Sequence, residues 1–361
     1  MFIKNLQLKN FRNYTEESFD FSSGLNVLFG KNAQGKTNCA EAVFYLCTGT
    51  SPRTRREKQL IRNGEENAFL SCKCEGRYGG VEISASICER GREVKVNGNK
   101  ITRNADLLGN VFAVFFSPQE LRLIQDGPDE RRRFLNVSIS QLSRPYYIAL
   151  MRYNKILEQR NNLLKNRDID LVYDTLPVWD EQLCKYAAVI AGSRADYINK
   201  LAPLASEAHA YLTDGREKLT LSPEKKYKGD GEELNKRLFA ELSNNYDRDI
   251  RLGFTASGPH RDDVDIRIDD TDAKNYASQG QTRTAALAIK LAEVEIFKQE
   301  CGEYPILILD DVMSELDLPR RKKLVGKAEG LQTIITCTHA ERVLYGRDVN
   351  KIMIEGGAIK R

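Results

Sequence analysis

The chain has 361 residues, enough for two or three lobes at about 150 residues per domain. Hydrophobic residues make up 41% and charged residues 29%, a balance that supports sizeable cores and excludes disorder over most of the length. Lys and Arg total 55 against 51 Asp and Glu, a net charge of +4, so nucleic-acid binding would have to come from a local patch.

Several classes of protein are disfavoured by the composition. No apolar run approaches the roughly 18 residues that a membrane span requires, and the opening residues MFIKNLQLKNFRNY lack the apolar stretch of a secretory signal. The eight cysteines are scattered, unlike those of a small disulfide-rich scaffold. Cys72 and Cys74 alternate with charged residues, as in a strand with one face inward. These features predict a cytoplasmic protein with reduced, mostly buried thiols and no membrane partner.

The first elements are predicted to be strand, loop and helix. Residues 25–29 form a short apolar strand, and a glycine-containing loop follows. Ala40, Val43, Phe44 and Cys47 then share one helix face, and Gly49 is placed to end that helix. Residues 68–101 read as short strands, with Asn97 and Gly98 as a hairpin turn.

The middle of the chain is predicted to be helical. One apolar stripe runs from Tyr146 to Leu164 and another from Leu183 to Tyr211. The three- and four-residue steps of the second stripe resemble a coiled coil. However, Arg194 occupies a seam position and Pro203 interrupts the backbone hydrogen bonds, so two helices packed within a lobe are favoured. Residues 213–233 are polar and contain glycines, which predicts an exposed loop.

The α/β character returns after residue 270. We predict a helix over 281–300, a strand at 306–309, a helix near 319–329, a strand at 333–336 and a hairpin around Gly356 and Gly357. The predicted organisation is an N-terminal part of one lobe (1–125), a helical second lobe (126–270) and a C-terminal part of the first lobe (271–361).

The residues GKNAQGKT between the first strand and helix fit the pattern G-x-x-x-x-G-K-[ST]. Backbone N–H groups of such a loop cradle phosphate oxygens, aided by the positive end of the helix. The Lys36 charge then meets the β/γ-phosphates, and the Thr37 hydroxyl ligates Mg²⁺. The predicted nucleotide-binding residues are Gly30, Lys31, Asn32, Ala33, Gln34, Gly35, Lys36, Thr37 and Asn38.

Two carboxylates follow the strand at 306–309, in the sequence ILILDDVMSELD. The carboxyl end of a parallel strand faces the ligand crevice of an α/β sheet. Asp310 is therefore predicted to hold Mg²⁺, directly or through water. Asp311 is predicted to polarise the attacking water as a general base.

A third motif, YASQGQTR, opens a helix about 25 residues before this strand. The order of phosphate loop, Ser-x-Gly-Gln, Asp-Asp and Ser-Glu-Leu-Asp is typical of ABC-type ATPases. In their heads, this helix N-terminus meets the γ-phosphate that the opposite subunit binds, so ATP joins a two-fold dimer. A capped helix without a ligand is the alternative. The predicted signature residues are Ser278, Gln279, Gly280 and Gln281.

Six blocks in order resemble the RecF family of bacterial replication and repair proteins over nearly the whole chain. They are LKNFRNY at 8–14, GKNAQGKTN at 30–38, FFSPQELRLIQDGPDERRRFLN at 115–136, SGPHRDD at 257–263, YASQGQTR at 276–283 and LILDDVMSELD at 307–317. One departure is Ala33, where the family usually has Gly. Alanine is expected to be tolerated there unless the position needs a positive φ.

The resemblance implies the fold and further site residues. The fold class would be α/β, an ABC-type ATPase head like those of SMC and Rad50 proteins, with a P-loop nucleotidase core, flanking β-strands, a mainly helical second lobe and no long coiled coil. Gln119 would sense Mg²⁺ and the attacking water, so the predicted catalytic residues are Asp311, Gln119 and Lys36. Asp317 would be the D-loop residue at the dimer interface. Thr338 and His339 both qualify as the residue near the γ-phosphate.

A cation cluster at 52–62 is the candidate DNA contact, with Arg53, Arg55, Arg56, Lys58 and Arg62. Clustered cations suit sequence-independent phosphate contact, although a solvated charged loop explains them as well. The arginines at 131–133 are an alternative set that would instead organise the lobes. No aromatic residue is interleaved, so base stacking is not indicated.

The resemblance implies a weak, DNA-stimulated ATPase that uses ATP and Mg²⁺ as cofactors. An ATP-dependent homodimer would bind double-stranded DNA at gaps or single-strand/double-strand junctions, and hydrolysis would reset it. With RecR and RecO it would support RecA loading, recombinational repair and the SOS response. One alternative is an ATP-binding DNA scaffold without significant hydrolysis. A small-molecule kinase is disfavoured because it would lack SQGQ and SELD.

Overall fold

The computed structural model of the chain describes residues 1–77, 79–224, 231–340 and 349–360. This part of the chain divides into two compact units. The first contains Met1–Leu121, Leu204–Lys218 and Ser278–Arg361, and the second contains Arg122–Pro203 and Leu219–Ala277. The segment Leu204–Lys218 groups with the first unit, although it lies inside the helical lobe that the sequence predicts.

The N-terminal part of the first unit is mainly β-structure around one helix. Its elements are β1 (Phe2–Phe11), β2 (Tyr14–Asp20), β3 (Leu25–Phe29), α1 (Lys36–Thr48), β4 (Asn67–Gly76), β5 (Gly79–Cys88), β6 (Gly91–Val96), β7 (Asn99–Ile101) and β8 (Ala113–Phe116). An antiparallel sheet has the order β2-β1-β4-β5-β6-β7. Asn97 and Gly98 turn between β6 and β7 with φ of 50° and 78°, the positive values that a two-residue hairpin requires.

The cysteines of β4 lie inward as predicted. Cys72 and Cys74 are both buried, and their Sγ atoms lie 3.6 Å apart. Among the described residues, no group of three or more His, Cys, Asp or Glu side chains could hold a metal ion. Burial raises the pKa of the Cys47 thiol nearby, so it stays protonated.

The second unit is mainly helical. Its elements are α2 (Arg122–Gln125), α3 (Pro128–Leu142), α4 (Arg144–Leu163), α5 (Ile169–Thr213, ending in the first unit), β9 (Leu219–Pro223), α6 (Gly231–Ser243), α7 (Tyr246–Leu252), β10 (Val264–Ile268), β11 (Thr271–Asp272) and α8 (Ala273–Tyr276). The two predicted apolar stripes correspond to α4 and α5. Pro203 lies inside α5 without ending it, since the helix continues to Thr213.

The prediction of a loop over 213–233 is wrong in part. Leu219 and Leu221 are buried, and β9 pairs with β10 in the antiparallel order β11-β10-β9. Leu219 and Leu221 alternate with polar residues, which is the pattern of a strand with one buried face, although the neighbouring residues are polar. Residues 225–230 of that stretch lie outside the described part of the chain.

Buried arginines organise the second unit. Arg160 is fully buried and donates to Asp180 and, at 2.7 Å, to Asp249, both of which are also fully buried. Arg131 donates from Nη2 to Oδ2 of Asp263 at 2.7 Å. Arg194, the predicted seam residue, donates to the backbone oxygen of Pro259 at 2.6 Å. Within this unit, Arg131 therefore joins α3 to the block at 257–263 by a charge-assisted hydrogen bond, and Arg194 joins α5 to the same block.

The C-terminal part completes the first unit. Its elements are α9 (Gln279–Cys301), β12 (Ile306–Asp310), α10 (Leu318–Lys327), β13 (Thr333–Cys337), β14 (Asn350–Glu355) and β15 (Ala358–Ile359). The second sheet of this unit has the order β15-β14-β3-β13-β12-β8, and only the β14–β15 hairpin in it is antiparallel among the described strands. Because β3, β8, β12 and β13 are parallel, their carboxyl ends meet at one edge. No helix in the described ranges is long and apolar enough to cross a membrane.

Candidate nucleotide-binding site

The loop at 30–37 connects β3 to α1, which is the context that its sequence motif requires. Lys36 begins α1, and its Nζ donates to the backbone oxygens of Gly30 and Lys31, both at 2.7 Å. The ammonium group is thereby folded over the loop and largely buried. Burial lowers the pKa of Lys36, while Asp311, Cys337 and Asp310 act in the opposite direction. This places a positive charge inside a ring of backbone groups, where a phosphate would bind.

Ala33 is the residue where the loop departs from the family pattern, and its φ is 62°. The position therefore does require a positive φ. This is the one condition under which we expect alanine to be less well tolerated than glycine. An L-residue in this left-handed region costs about 1–2 kcal/mol relative to its ordinary conformations. The loop retains its shape at that cost.

Asp310 ends β12 and faces the loop. Its Oδ1 accepts hydrogen bonds from Oγ1 of Thr37 at 2.8 Å and from Oγ1 of Thr336 at 2.7 Å. Burial raises the pKa of Asp310, and the two hydroxyl donors oppose that shift. The Thr37 hydroxyl and the Asp310 carboxylate are oxygen donors in direct contact, which is the chemistry that suits Mg²⁺.

Asp311 has a left-handed backbone, with φ of 55°, and an exposed side chain. Its N–H donates to Oγ1 of Thr336 at 2.9 Å, and its carboxylate accepts from Ser314 Oγ at 3.1 Å. Thr336 therefore bonds both the Asp310 carboxylate and the Asp311 backbone, a role that sequence reasoning missed. The sequence feature that could have indicated this role is the threonine near the carboxyl end of β13, the buried strand that pairs with β12.

The block at 8–14 supports the loop from outside. Tyr14 OH donates to the backbone oxygen of Gly35 at 2.9 Å, and Asn13 Nδ2 donates to that of Gln34 at 3.0 Å. A Cβ at Gly35 would lie 2.8 Å from Tyr14 OH, and φ there is 120°, so only glycine fits. Asn38 Nδ2 donates to Asn13 Oδ1 at 2.8 Å and continues the support into α1.

A fully buried carboxylate, Glu41, lies one turn along α1. Arg12 donates to it from Nε at 2.9 Å and from Nη2 at 2.7 Å. Ser51 Oγ donates at 2.6 Å and Arg53 Nη1 at 3.2 Å. Through Glu41, α1 is therefore bound to Arg12, which precedes the helix in the chain, and to Ser51 and Arg53, which follow it.

The cations proposed for DNA differ in their surroundings. Arg53 is held by Glu41 and by Asn38 Oδ1 at 2.8 Å, so it borders the loop. Lys58 forms an exposed ion pair with Glu89. Arg55 and Arg56 are exposed, and Arg62 is half-buried. Contact of these residues with DNA stays a prediction.

Gln119 is exposed in a short 3₁₀ helix, Pro118–Leu121, that follows β8. Phe116 of β8 pairs with Leu309 of β12, so Gln119 follows the strand edge at which Asp310 lies. Its role as a water sensor stays a prediction. Thr338 is half-buried and His339 exposed just after β13, and the choice between them stays open. Residues 341–348, which follow shortly after, lie outside the described ranges.

The predicted signature turn caps α9. Ser278 Oγ accepts from the Gln281 backbone N–H at 3.3 Å, and Gln281 Oε1 accepts from the Ser278 backbone N–H at 2.9 Å, a reciprocal capping box. Ser278, Gln279 and Gly280 are exposed. The first-turn N–H groups of a helix have no partners within the helix, so this turn can receive an anion.

Asp317, the predicted D-loop residue, is exposed and caps α10. It accepts from the Arg320 backbone N–H at 2.9 Å and from Arg320 Nη1 at 2.7 Å. Arg283 of α9 forms an ion pair with Glu315, two residues before Asp317. The signature helix and the segment that carries Asp317 are thereby linked.

Comparison with known proteins finds one family over nearly the whole chain. A model of the family described as RecF/RecN/SMC N terminal domain matches residues 2–360. The DNA replication and repair protein RecF of Clostridium acetobutylicum is 40% identical over 363 residues, which cover 99% of each chain. The protein of that name from Ruminiclostridium cellulolyticum is 39% identical over 369 residues, with the same coverage.

Solved structures agree with these relatives. The recombination mediator protein RecF with ATP, of the RecFOR pathway, has a TM-score of 0.90 at 34% identity over 99% of this chain and 97% of that one. The Smc head bound to the C-winged helix domain of ScpA has a TM-score of 0.58 at 16% identity, over 100% of this chain and 96% of that one. The second likeness concerns the fold alone.

Proposed function

This chain belongs to the RecF family of DNA replication and repair proteins, and from that premise we propose that it is an ATP-driven homodimer that binds DNA. The family is of the ABC/SMC type, so ATPase activity is the reaction to consider. The observation that carries the proposal is the contact between Thr37 of the loop and Asp310 of β12, at 2.8 Å. It joins the phosphate loop to the paired carboxylates at one sheet edge.

ATP binding is proposed at residues 30–37, and the RecF structure with ATP supports it. Lys36 and the loop N–H groups would hold the phosphates, with Tyr14 and Asn13 keeping the loop in shape. Thr37 and Asp310 would hold Mg²⁺, which would neutralise part of the phosphate charge.

Hydrolysis is proposed to use Asp311 as general base. Water attacks the γ-phosphorus, its proton passes to the Asp311 carboxylate, and the bond to the β-phosphate oxygen breaks to give ADP and phosphate. Thr336 holds the Asp311 backbone in its left-handed conformation, which sets where the carboxylate lies. Gln119 is proposed to orient the water.

The exposed signature turn is proposed to close over ATP held by a second copy. The first-turn N–H groups and Ser278 of one subunit would then bind the γ-phosphate of the other, and hydrolysis would remove the bridge. If ATP binding stabilises the dimer and the dimer binds DNA more tightly than the monomer does, then ATP binding strengthens DNA binding. By linkage, DNA binding must strengthen ATP binding by the same factor. The proposed DNA contacts are phosphate contacts by Arg55, Arg56 and their neighbours.

By family, we further propose action at gapped or junction DNA, with RecR and RecO, in support of RecA loading and the SOS response. The RecFOR setting of the solved RecF structures supports this. Hydrolysis would be slow, because the proposed dimer stays closed on DNA until the γ-phosphate is removed and opens when the products leave.

The experiment is sedimentation velocity without nucleotide, with ADP, and with ATP and Mg²⁺, repeated for Ser278→Arg. We expect a monomer that dimerises only with ATP and a variant that fails to dimerise. A monomer under all conditions, with ATP shown to bind, would overturn the dimer. Asp311→Asn should bind ATP but lose turnover; equal, negligible turnover in both proteins would favour a scaffold without hydrolysis.

A further inference from the structure

The end of α5 and the turn that follows it, in Leu204–Lys218, bring a carboxylate to the signature turn. Glu217 Oε1 accepts a hydrogen bond from Gln281 Nε2 at 3.2 Å. Glu217 is itself tied to His209, which is fully buried. His209 Nδ1 lies 3.3 Å from the backbone oxygen of Glu217, and His209 Nε2 lies 3.7 Å from Glu217 Oε2. All these residues belong to the first unit.

Gln281 uses both ends of its side-chain amide. Its Oε1 accepts from the Ser278 N–H, and its Nε2 donates to Glu217. An amide can rotate and exchange the two ends, but a carboxylate can only accept. Glu217 therefore selects the orientation in which the amide oxygen completes the capping box. Without that acceptor, a rotated amide would direct N–H groups at the Ser278 N–H and break half of the box.

We propose that Glu217 is a positioning residue for the signature turn, holding Ser278 and Gln281 in the geometry that receives a phosphate from a second copy of the chain. The proposal rests on the proposed function, since it concerns the same dimer. Glu217 acts through Gln281 and does not touch ATP. Its negative charge would disfavour a nearby anion, so its contribution is geometric and not electrostatic.

This distinction separates two variants. Glu217→Ala removes the acceptor. Glu217→Gln removes the charge and keeps an oxygen that can accept from Gln281, but its NH₂ group can also donate, so it selects the amide orientation less strictly than the carboxylate does. Asp214→Asn is the matched control, because Asp214 lies on the same segment but pairs with Lys323 of α10, at 2.7 Å. Asparagine tolerates the positive φ of 55° at that position.

The dimer dissociation constant with ATP and Mg²⁺ is measured by sedimentation, and the ATP affinity of the monomer by titration with a fluorescent ATP analogue. For Glu217→Ala we expect the dimer to weaken about 25- to 100-fold, the scale of one hydrogen bond at each of the two symmetric sites, with monomer affinity changed by less than about two-fold. Asp214→Asn should stay within about two-fold of the unaltered protein, and Glu217→Gln should weaken the dimer less than Glu217→Ala does. Amide hydrogen exchange at 278–281 in the monomer should speed up most in Glu217→Ala and should stay unchanged in Asp214→Asn.

Several outcomes overturn the proposal. Unchanged dimerisation of Glu217→Ala does so, as does a dimer that Glu217→Ala or Glu217→Gln strengthens, which would mean that charge repulsion outweighs positioning. A parallel loss of monomer ATP affinity would indicate a general structural role. If the unaltered protein never dimerises, the proposed function fails, and hydrogen exchange at 278–281 still decides whether Glu217 positions the turn.

Discussion

Glu41→Gln is the change that best tests how the nucleotide loop is supported. Among the described residues, each oxygen of this buried carboxylate accepts from two donors. Oε1 accepts from Arg12 Nη2 and Ser51, and Oε2 from Arg12 Nε and Arg53. Glutamine has one oxygen, so in either orientation its NH₂ group faces an arginine N–H.

The size of the effect follows from those contacts. Two hydrogen bonds are lost, and bonds to charged groups are worth about 1.5–3 kcal/mol each. Arg12 and Arg53 are 19% and 36% exposed, so water replaces part of the loss. We expect a net destabilisation of roughly 3 kcal/mol. In a domain of 150–250 residues this corresponds to a fall in Tm of about 6–12 °C.

The assay is thermal unfolding of the nucleotide-free protein by circular dichroism. Glu89→Gln is the matched control, because Glu89 forms an exposed ion pair with Lys58 and its loss should shift Tm by no more than about 1 °C. If Glu41→Gln unfolds within about 1 °C of that control, the buried carboxylate does not stabilise the first unit and the reasoning is refuted.

Three further variants test the loop and the carboxylates. Burial raises the pKa of Asp310, so its contribution to stability is present at low pH and is lost as pH rises through the raised pKa. In Asp310→Asn the side-chain oxygen can still accept from Thr37 and Thr336. This variant should therefore have a higher Tm at neutral pH without Mg²⁺, and the increase in Tm should become smaller in acid. Mg²⁺-dependent ATP hydrolysis should be lost, and a lower Tm at neutral pH would contradict the reasoning. Ala33→Gly should increase the free energy of unfolding, measured with denaturant, by up to about 1 kcal/mol. Glycine removes the strain of the positive φ, and that gain exceeds the cost of the extra conformational entropy that glycine gives the unfolded chain. A net loss would mean that the left-handed conformation carries no strain. Thr336→Val should cost about 1–3 kcal/mol in the same assay and slow turnover, because it removes the hydroxyl that bonds Asp310 and the Asp311 N–H; unchanged turnover would show that Thr336 does not position Asp311.

The predictable part of the site is the part encoded in short stretches. The loop at 30–37 lies between a run of apolar residues and a helical stripe, and Asp310 follows a buried strand, so local pattern was sufficient for both. The same is true of the Asn97 and Gly98 turn, because only a few residue types adopt its dihedral angles.

The parts that were missed depend on contacts between distant segments. Glu41 stands between Ala40 and Ala42, where it reads as a solvated helix position, and only the approach of Arg12 and Ser51 makes its burial possible. Thr336 looks like an ordinary strand residue until β12 is placed beside β13. The strand β9 was missed because its polar neighbours outweighed two leucines that find their partners in β10.

The strand order of the second sheet also bears on how the protein is made. In the sheet, β3 lies between β14 and β13. In the chain, both of these strands come about 300 residues after β3, so they are synthesised much later. All segments of the helical unit are synthesised before either strand appears. During that time β3 lacks both of its neighbouring strands, and the loop that follows it has only the supports from the N-terminal part, Tyr14 and Asn13. A product truncated before β13 would carry the whole phosphate-loop sequence without the two strands that flank β3 and without Thr336, which donates to Asp310.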